Sequence, residues 1–382
     1  DPAQRLTKWQ SMMDEVRSFR TELETAGLSV PGVVGGGTPT FLSDAQITEL
    51  VYELARYFHL LEDDRGDYAI EIDPRTVDRA RLGLLRGLGF NRLSLGVQDL
   101  DPRVQQAVNR VQPVAMIRRV FEDARAFDFH SINADLIYGL PWQSETSLAH
   151  SLEQLIALRP ERISLYNYAH LPARFKIQRQ IPERTLPSPE EKLAMLVRAG
   201  GMLQEAGYEL IGMDHFALPD DDLARARREG TLHRNFQGYT LHGDADLIGF
   251  GVSAISDLHD LYAQAPKRIE DWQDSVTKGD WPLERGYLLN RDDRLRRWVI
   301  IGFLCQLRLD LAEFRQVWGV DFVDYFNDVL PQLAVFEKQG LIAMQDSALV
   351  ITDTGRLVAR ALVMPFDNHR DPTAGERFSR II

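Results

Sequence analysis

Residues 33–40 read Val33-Val34-Gly35-Gly36-Gly37-Thr38-Pro39-Thr40. Two β-branched residues favour a strand, and the Thr-Pro pair ends it and opens a turn. Between them, three glycines strip every Cβ from the strand's end, so that a ligand can lie against bare backbone. In α/β proteins ligands bind at the carboxyl ends of parallel strands, where this rim stands.

The chain on either side of the rim alternates helix and strand. Residues 4–26 predict a helix, with Leu6, Trp9, Met13, Val16 and Leu23 near one face and Gly27 as its stop. Ser43 is placed to cap the next helix, which carries Ile47, Leu50, Val51, Leu54 and Phe58. Strands are expected at 68–72, 92–97, 132–137, 162–168 and 209–213, with helices at about 75–87, 113–127, 144–158 and 189–206 between them. Such alternation predicts a parallel sheet in an α/β fold, closed as a full or partial barrel. Glu71, Gln98, Asp135 and Asn167 fall at the strand ends. From about residue 290 helical patterns dominate, followed by a hairpin at 341–344 and 349–351 and a helix from Thr354. The change in texture divides the chain into 1–285, a barrel with a substrate-site extension, and 286–382, a smaller, mostly helical, winged-helix-like domain.

Composition narrows the class. The 382 residues are 44% hydrophobic and 26% charged, with net charge −12, which argues against nucleic acid or an anionic membrane as the partner. No apolar run has membrane-spanning length and no secretory leader is recognisable. The single cysteine, Cys305, follows the apolar run Ile300-Ile301-Gly302-Phe303-Leu304 and reads as a buried structural thiol. A cytoplasmic location is the expectation. The usual catalytic signatures are missing: there is no Gly-x-Ser-x-Gly elbow, no Walker loop and no complete Gly-x-Gly-x-x-Gly after a strand. The nine histidines show no metal-ligand spacing, and Asp214-His215 reads as an ordinary hydrogen-bonded histidine.

A set of blocks in fixed order points further. These are Gly35-Gly36-Gly37-Thr38-Pro39-Thr40, Glu71-Ile72-Asp73-Pro74, Asn91-Arg92-Leu93-Ser94-Leu95-Gly96-Val97-Gln98 and Asp135-Leu136-Ile137-Tyr138-Gly139-Leu140-Pro141. Asn109-Arg110, Tyr166-Asn167-Tyr168-Ala169-His170-Leu171-Pro172 and Gly212-Met213-Asp214-His215-Phe216 follow. Next come Leu232-His233-Arg234-Asn235-Phe236-Gln237-Gly238-Tyr239-Thr240, Gly251-Val252-Ser253-Ala254-Ile255-Ser256 and the terminal Phe378-Ser379-Arg380. Together they resemble the oxygen-independent coproporphyrinogen III oxidase branch of the radical S-adenosylmethionine (SAM) superfamily. The related heme chaperone branch has an Asn and a Tyr-Trp pair where this chain has Asn235-Phe236-Gln237-Gly238-Tyr239.

The resemblance implies a partial barrel of radical SAM type and two bound SAM molecules. Gly36, Glu71 and Ile255 would meet one of them; Gly37, Thr38, Gln98, Arg110, Asp135 and Ala169 would meet the other. The chemistry agrees: a carboxylate such as Glu71 suits an ammonium group, Arg110 suits a carboxylate, and Asp135 and Gln98 suit ribose hydroxyls. Read without the family, Glu71 and Asp135 could be plain strand-end carboxylates, and Arg110 a surface ion pair. The implied substrate, coproporphyrinogen III, carries four propionates. His233, Arg234, Phe236 and Gln237 are its candidate contacts; Arg225, Arg227 and Arg228, or Lys176 and Arg179, offer further cations whose alternative is a solvated face. In the family reaction a 5′-deoxyadenosyl radical removes a propionate β-hydrogen, and loss of CO₂ and an electron leaves a vinyl group. Two such rounds give protoporphyrinogen IX. A low-potential donor such as a flavodoxin and a monomeric enzyme are also implied.

One departure is large. The superfamily holds a 4Fe–4S cluster with a Cys-x3-Cys-x2-Cys loop after the first barrel strand, and this chain contains no such loop. Because the sequence begins at Asp1 and helix 4–26 resembles the segment that follows the loop, the expectation is a chain cut at its front, with no turnover as written. The alternative is a cluster-free SAM- or tetrapyrrole-binding protein.

Overall fold

The computed structural model describes residues 14–15, 29–30, 32–35, 37–61 and 64–370. Of the helix expected at 4–26 only residues 14 and 15 are among them, and both are helical; Gly36 and the 378–380 motif lie outside the described residues. Two compact units emerge. The first comprises residues 1–93, 123–130 and 244–294, the second 94–122, 131–243 and 295–382. These units cut the chain differently from the 285/286 boundary expected from texture.

In the first unit, strand Gly32–Val34 pairs in parallel with Tyr68–Ile72, with Val34 opposite Ile70. The helix between them, Asp44–Tyr57, starts on the expected cap: Ser43 accepts from the Gln46 N–H, and the Gln46 side chain returns the bond. Its apolar face buries Ile47 completely and places Leu50 against Val34, Leu42 and Leu54. Asp73-Pro74 ends the second strand as read, and Asp73 then caps a single 3₁₀ turn, Pro74–Thr76. Beyond residue 244 the unit adds an antiparallel sheet of Ile255–Leu258, Leu261–Gln264 and Arg285–Leu288, an element absent from the sequence reading. Helix Ile269–Lys278 buries Trp272 fully, against Ala265, Val276, Val252 and Ala254.

Glu15 is buried in this unit, where its carboxylate accepts the Gly251 N–H at 2.7 Å. Burial raises its pKa from 4.5 to about 7, and the Gly251 bond offsets only part of that. The folded protein therefore keeps a proton that the unfolded chain has already lost. Glu15's contribution to stability is therefore most favourable below pH 4.5, falls as pH rises toward 7, and stays reduced above it. At about 1.4 kcal/mol per pKa unit the penalty is on the order of 3 kcal/mol. Glu15→Gln, which keeps an acceptor without the charge, should raise stability at pH 8 and flatten the pH 4.5–7 slope in urea melts. A slope unchanged in the variant would show that Glu15 does not titrate in this range.

In the second unit, Ser131–Tyr138 pairs in parallel with Arg162–Asn167, from Asn133 opposite Arg162 to Tyr138 opposite Asn167. Helices Glu145–Leu158 and Pro189–Glu205 follow the two strands, each opened by a capping box, at Ser144 and Ser188. The expected strand at 209–213 forms with one correction. Glu209–Gly212 turns back at once into His215–Ala217, which pairs antiparallel with Arg162–Asn167, so the chain here makes an edge hairpin and not another parallel strand. Met213, in the left-handed region at φ +48°, makes the reversal possible.

Residues 295–370 group with this unit through packing. Cys305 and Ile301 sit in one apolar cluster with Ile211, Ala217, Leu223 and Leu232. A second core gathers Phe303, Phe314, Phe322, Phe326 and Phe366. The expected hairpin, observed as Ile342–Gln345 and Ala348–Ile351, gains a third strand, Arg308–Asp310, on its Ala348–Ile351 side.

Candidate functional site

At the glycine rim of the first unit, the Glu71 carboxylate lies so close to the main chain that a Cβ on Gly35 would sit 2.8 Å from Glu71 Cδ and Oε1. Only glycine lets that carboxylate approach the strand end. Gly37 is exposed, and Thr38 precedes the 3₁₀ turn Pro39–Phe41 without its hydroxyl capping that turn. Ile255 opens the antiparallel strand Ile255–Leu258 in the same unit. The rim thus offers a carboxylate beside an exposed main-chain edge, the pairing an ammonium group needs.

In the second unit Gln98 and Arg110 meet. Arg110 Nη2 donates to the Gly96 carbonyl at 2.9 Å, and a Cβ on Gly96 would lie 2.7 Å from Arg110 Nη2 and 2.8 Å from Gln98 Nε2. Gln98 ends its strand at φ +66°, a strained conformation for a residue with a side chain. Sequence reasoning missed the scaffold that holds this turn. Gln105 donates from Nε2 to the carbonyls of Asp99 and Gln112, both at 2.9 Å, and accepts the Gln112 N–H at 3.0 Å. Gln112 in turn donates to the Gly96 and Val97 carbonyls at 3.2 and 3.0 Å. Buried Asp99, whose pKa burial pushes up, accepts from Gln143 and Ser151 at 2.5 and 2.9 Å. No motif marks these contacts, since each is made by a polar residue of ordinary type that the fold brings to its partner.

Asp135 receives Ser94 Oγ on Oδ2 at 3.1 Å and Asn133 Nδ2 on Oδ1 at 2.8 Å; Asn133 is itself fixed by Ser164. Burial raises the Asp135 pKa despite these donors. The Ala169 carbonyl accepts from Gln178 Nε2 at 2.9 Å. Nearby Lys192, its pKa lowered by burial, reaches the Tyr168 carbonyl at 3.4 Å.

The block 233–240 forms a hairpin, His233–Asn235 against Gly238–Thr240, with Asn235 Oδ1 accepting the Gln237 and Gly238 N–H groups. Phe236 and Gln237 are exposed at its tip, as a substrate contact requires. Arg234 lies back against its own hairpin. Its guanidinium lies 4.8 Å over the Tyr239 ring, and Tyr239 donates to the Leu304 carbonyl at 3.0 Å. His215 stands edge-on to Tyr239 and to Tyr166, with ring centroids 5.2 and 5.8 Å away. Burial would raise the Asp214 pKa, but the His215 ring, 3.8 Å away, and the Arg234 guanidinium outweigh it, so the carboxyl stays ionised at lower pH than usual. Half-buried Arg234 therefore serves as a counter-charge to Asp214, and His233 packs beside Gly243.

The other cations resolve toward structure. Arg227 and Arg228 both pair with Glu209, at 3.1 and 2.6 Å, and Arg225 pairs with Asp222. Arg179 donates to the Pro172 carbonyl at 2.9 Å.

Comparison with known proteins fits this arrangement. The radical SAM superfamily profile matches residues 11–155, and the HemN C-terminal domain profile matches 289–358. The oxygen-independent coproporphyrinogen III oxidase of Pseudomonas aeruginosa is 51% identical over 348 residues, covering 91% of this chain and 76% of that protein. The chain belongs to the oxygen-independent coproporphyrinogen III oxidase family. The Escherichia coli member is 46% identical over 349 residues. A solved structure, described as coproporphyrinogen III oxidase (HemN) from Escherichia coli, a radical SAM enzyme, superposes with TM-score 0.91 at 43% identity, covering 96% of this chain and 84% of that one. The fold is therefore the radical SAM α/β type with a helical C-terminal domain, and the family is one of oxidoreductases.

The two groups that the family implies differ in fit. SAM fits: a carboxylate stands at a main-chain edge in one unit, and a guanidinium, an amide and a buried carboxylate stand at strand ends in the other. The 4Fe–4S cluster does not fit. It needs three thiolates, while this chain has one cysteine, Cys305, buried and with its thiol pushed up to about 12. Among the described residues no group of three or more His, Cys, Asp or Glu could hold a metal ion. Nor, among them, is any helix long and apolar enough to cross a membrane.

Proposed function

We propose that this chain carries the SAM- and substrate-binding apparatus for oxygen-independent decarboxylation of coproporphyrinogen III to protoporphyrinogen IX, in heme biosynthesis. The observation that carries the reading is the match along 96% of the chain to a solved coproporphyrinogen III oxidase. SAM, when bound, supplies the 5′-deoxyadenosyl group that abstracts hydrogen in this family. Around it, Glu71 would hold the ammonium of one molecule, with Gly36 and Ile255 beside it. Arg110 would hold the carboxylate of the second, Asp135 and Gln98 its ribose, with Gly37, Thr38 and Ala169 lining the remainder. Phe236 and Gln237, exposed on their hairpin, would meet the tetrapyrrole, and His233 and Arg234 would meet its propionates. A cytoplasmic monomer fed by a low-potential donor such as a flavodoxin completes the proposal.

No radical step is assigned to this chain, because its residues do not hold the cluster. Anaerobic incubation with iron and sulfide tests this cysteine argument. The expected result is fewer than three bound iron atoms per chain and no vinyl product, with SAM retained in equilibrium dialysis. Three or more iron atoms with the visible absorption of a cluster would overturn the cysteine argument. Absence of SAM binding would overturn the assigned SAM residues.

A further inference from the structure

Within the second unit, helix Asp222–Glu229 and the sheet formed by Arg308–Asp310, Ile342–Gln345 and Ala348–Ile351 border a cavity of about 230 Å³. Four guanidinium groups line it, from Arg227, Arg228, Arg308 and Arg356, together with Gln306. Three carboxylates are near, and they neutralise the set unevenly. Glu209 is shared by Arg227 and Arg228. Asp310 is 3.9 Å from Arg308, and Asp353, 91% exposed, is 3.3 Å from Arg356. Gln306 spends its amide N–H groups on the Gly230 and Leu232 carbonyls, at 3.2 and 3.0 Å. The Nε atoms of Arg227 and Arg356 are buried and have no hydrogen-bond partner.

Like charges gathered in one cavity, with buried donors unanswered, are held at a cost that an anion removes. Its shape can be argued as well. A carboxylate is planar and is satisfied by one guanidinium fork, whereas a tetrahedral oxyanion accepts from several forks at once. We propose that this cavity binds a phosphate-type dianion, supplied as inorganic phosphate or as the phosphate of a monoester. Of the cations that the sequence offered for the tetrapyrrole, Arg227 and Arg228 line it; none of the residues given a role under the proposed function does.

Calorimetric titration of this chain with potassium phosphate, at fixed ionic strength in chloride, should give saturable binding. Arg308→Gln and Arg356→Gln should each weaken it about tenfold or more, the loss of one charge-assisted bond. Glycerol phosphate binding more tightly than phosphate would support a larger phosphorylated ligand, and weaker binding would support the free ion. Far-UV circular dichroism and urea midpoints report whether the variants fold. In the unsubstituted chain, phosphate should shield Arg308 and Arg356 from phenylglyoxal, read by mass spectrometry. Equal affinity in both variants, no shielding, or acetate binding as well as phosphate would overturn the proposal.

Discussion

Replacing Arg110 with alanine should weaken SAM binding by on the order of ten- to a hundredfold, the value of a hydrogen-bonded charge pair of about 1.5–3 kcal/mol. The geometry explains why so much rests on one side chain. Arg110 follows Asn109, a non-glycine residue at φ +53°, and its own N–H donates to the Gln105 carbonyl at 2.8 Å. Its guanidinium is then aimed by the bond to the Gly96 carbonyl, beside Gln98. A guanidinium has five donors, so a contact to Gly96 leaves capacity for a carboxylate fork. Arg110→Lys should recover only part of the affinity, because an ammonium keeps the charge and loses the planar fork. Folding should barely change, since Gln112 also serves the Gly96 carbonyl. The measurement is isothermal titration of each variant with SAM. An unchanged dissociation constant in Arg110→Ala, with the parent protein binding, would remove Arg110 from the site.

Much of this was legible because the chain punctuates itself. Asp73-Pro74 ends one strand, Ser43, Ser144 and Ser188 start helices, and the parallel order follows from regular spacing. The exceptions share a cause. The reversal after Gly212 depends on Met213 at φ +48°, and the turn after Val97 depends on Gln98 at φ +66°. Neither residue type announces a left-handed backbone, so tertiary contacts impose it. The three-residue strand Arg308–Asp310 is too short to show a period and exists only because Ala348–Ile351 offers it an edge. For the site, the family motifs named Glu71, Gln98, Arg110 and Asp135 as candidates, while the Gln105–Gln112 scaffold and the Tyr166–His215–Tyr239 edge contacts carried no signal. They are made by residues of ordinary type, and the folded chain alone brings them together. Of the charge run offered as further cations, Arg225 pairs with Asp222, while Arg227 and Arg228 share the single carboxylate of Glu209.

Gly212→Ala should destabilise the second unit by about 2–4 kcal/mol, near the upper end for overpacking a well-filled site. A Cβ at this position would sit 2.2 Å from Tyr239 Oη, 2.9 Å from its Cζ and 2.7 Å from the Leu304 carbonyl oxygen. The carbonyl belongs to helix Arg291–Gln306 and cannot swing aside, so the ring must move. Moving it breaks the 3.0 Å bond to Leu304, the cation–π contact that holds Arg234 and the edge contact to His215. Tyr239→Phe isolates the first of these losses and should cost only about 1 kcal/mol. In the Phe background the Oη clash disappears while the Cζ and carbonyl contacts remain, so Gly212→Ala should cost less there than in the parent. Urea unfolding of the four proteins in this cycle measures the coupling directly. Equal costs in the two backgrounds would mean that the Leu304 carbonyl alone excludes a side chain. A cost below about 1 kcal/mol in the parent would mean that the hairpin yields, leaving Arg234 without a fixed position from which to meet a propionate.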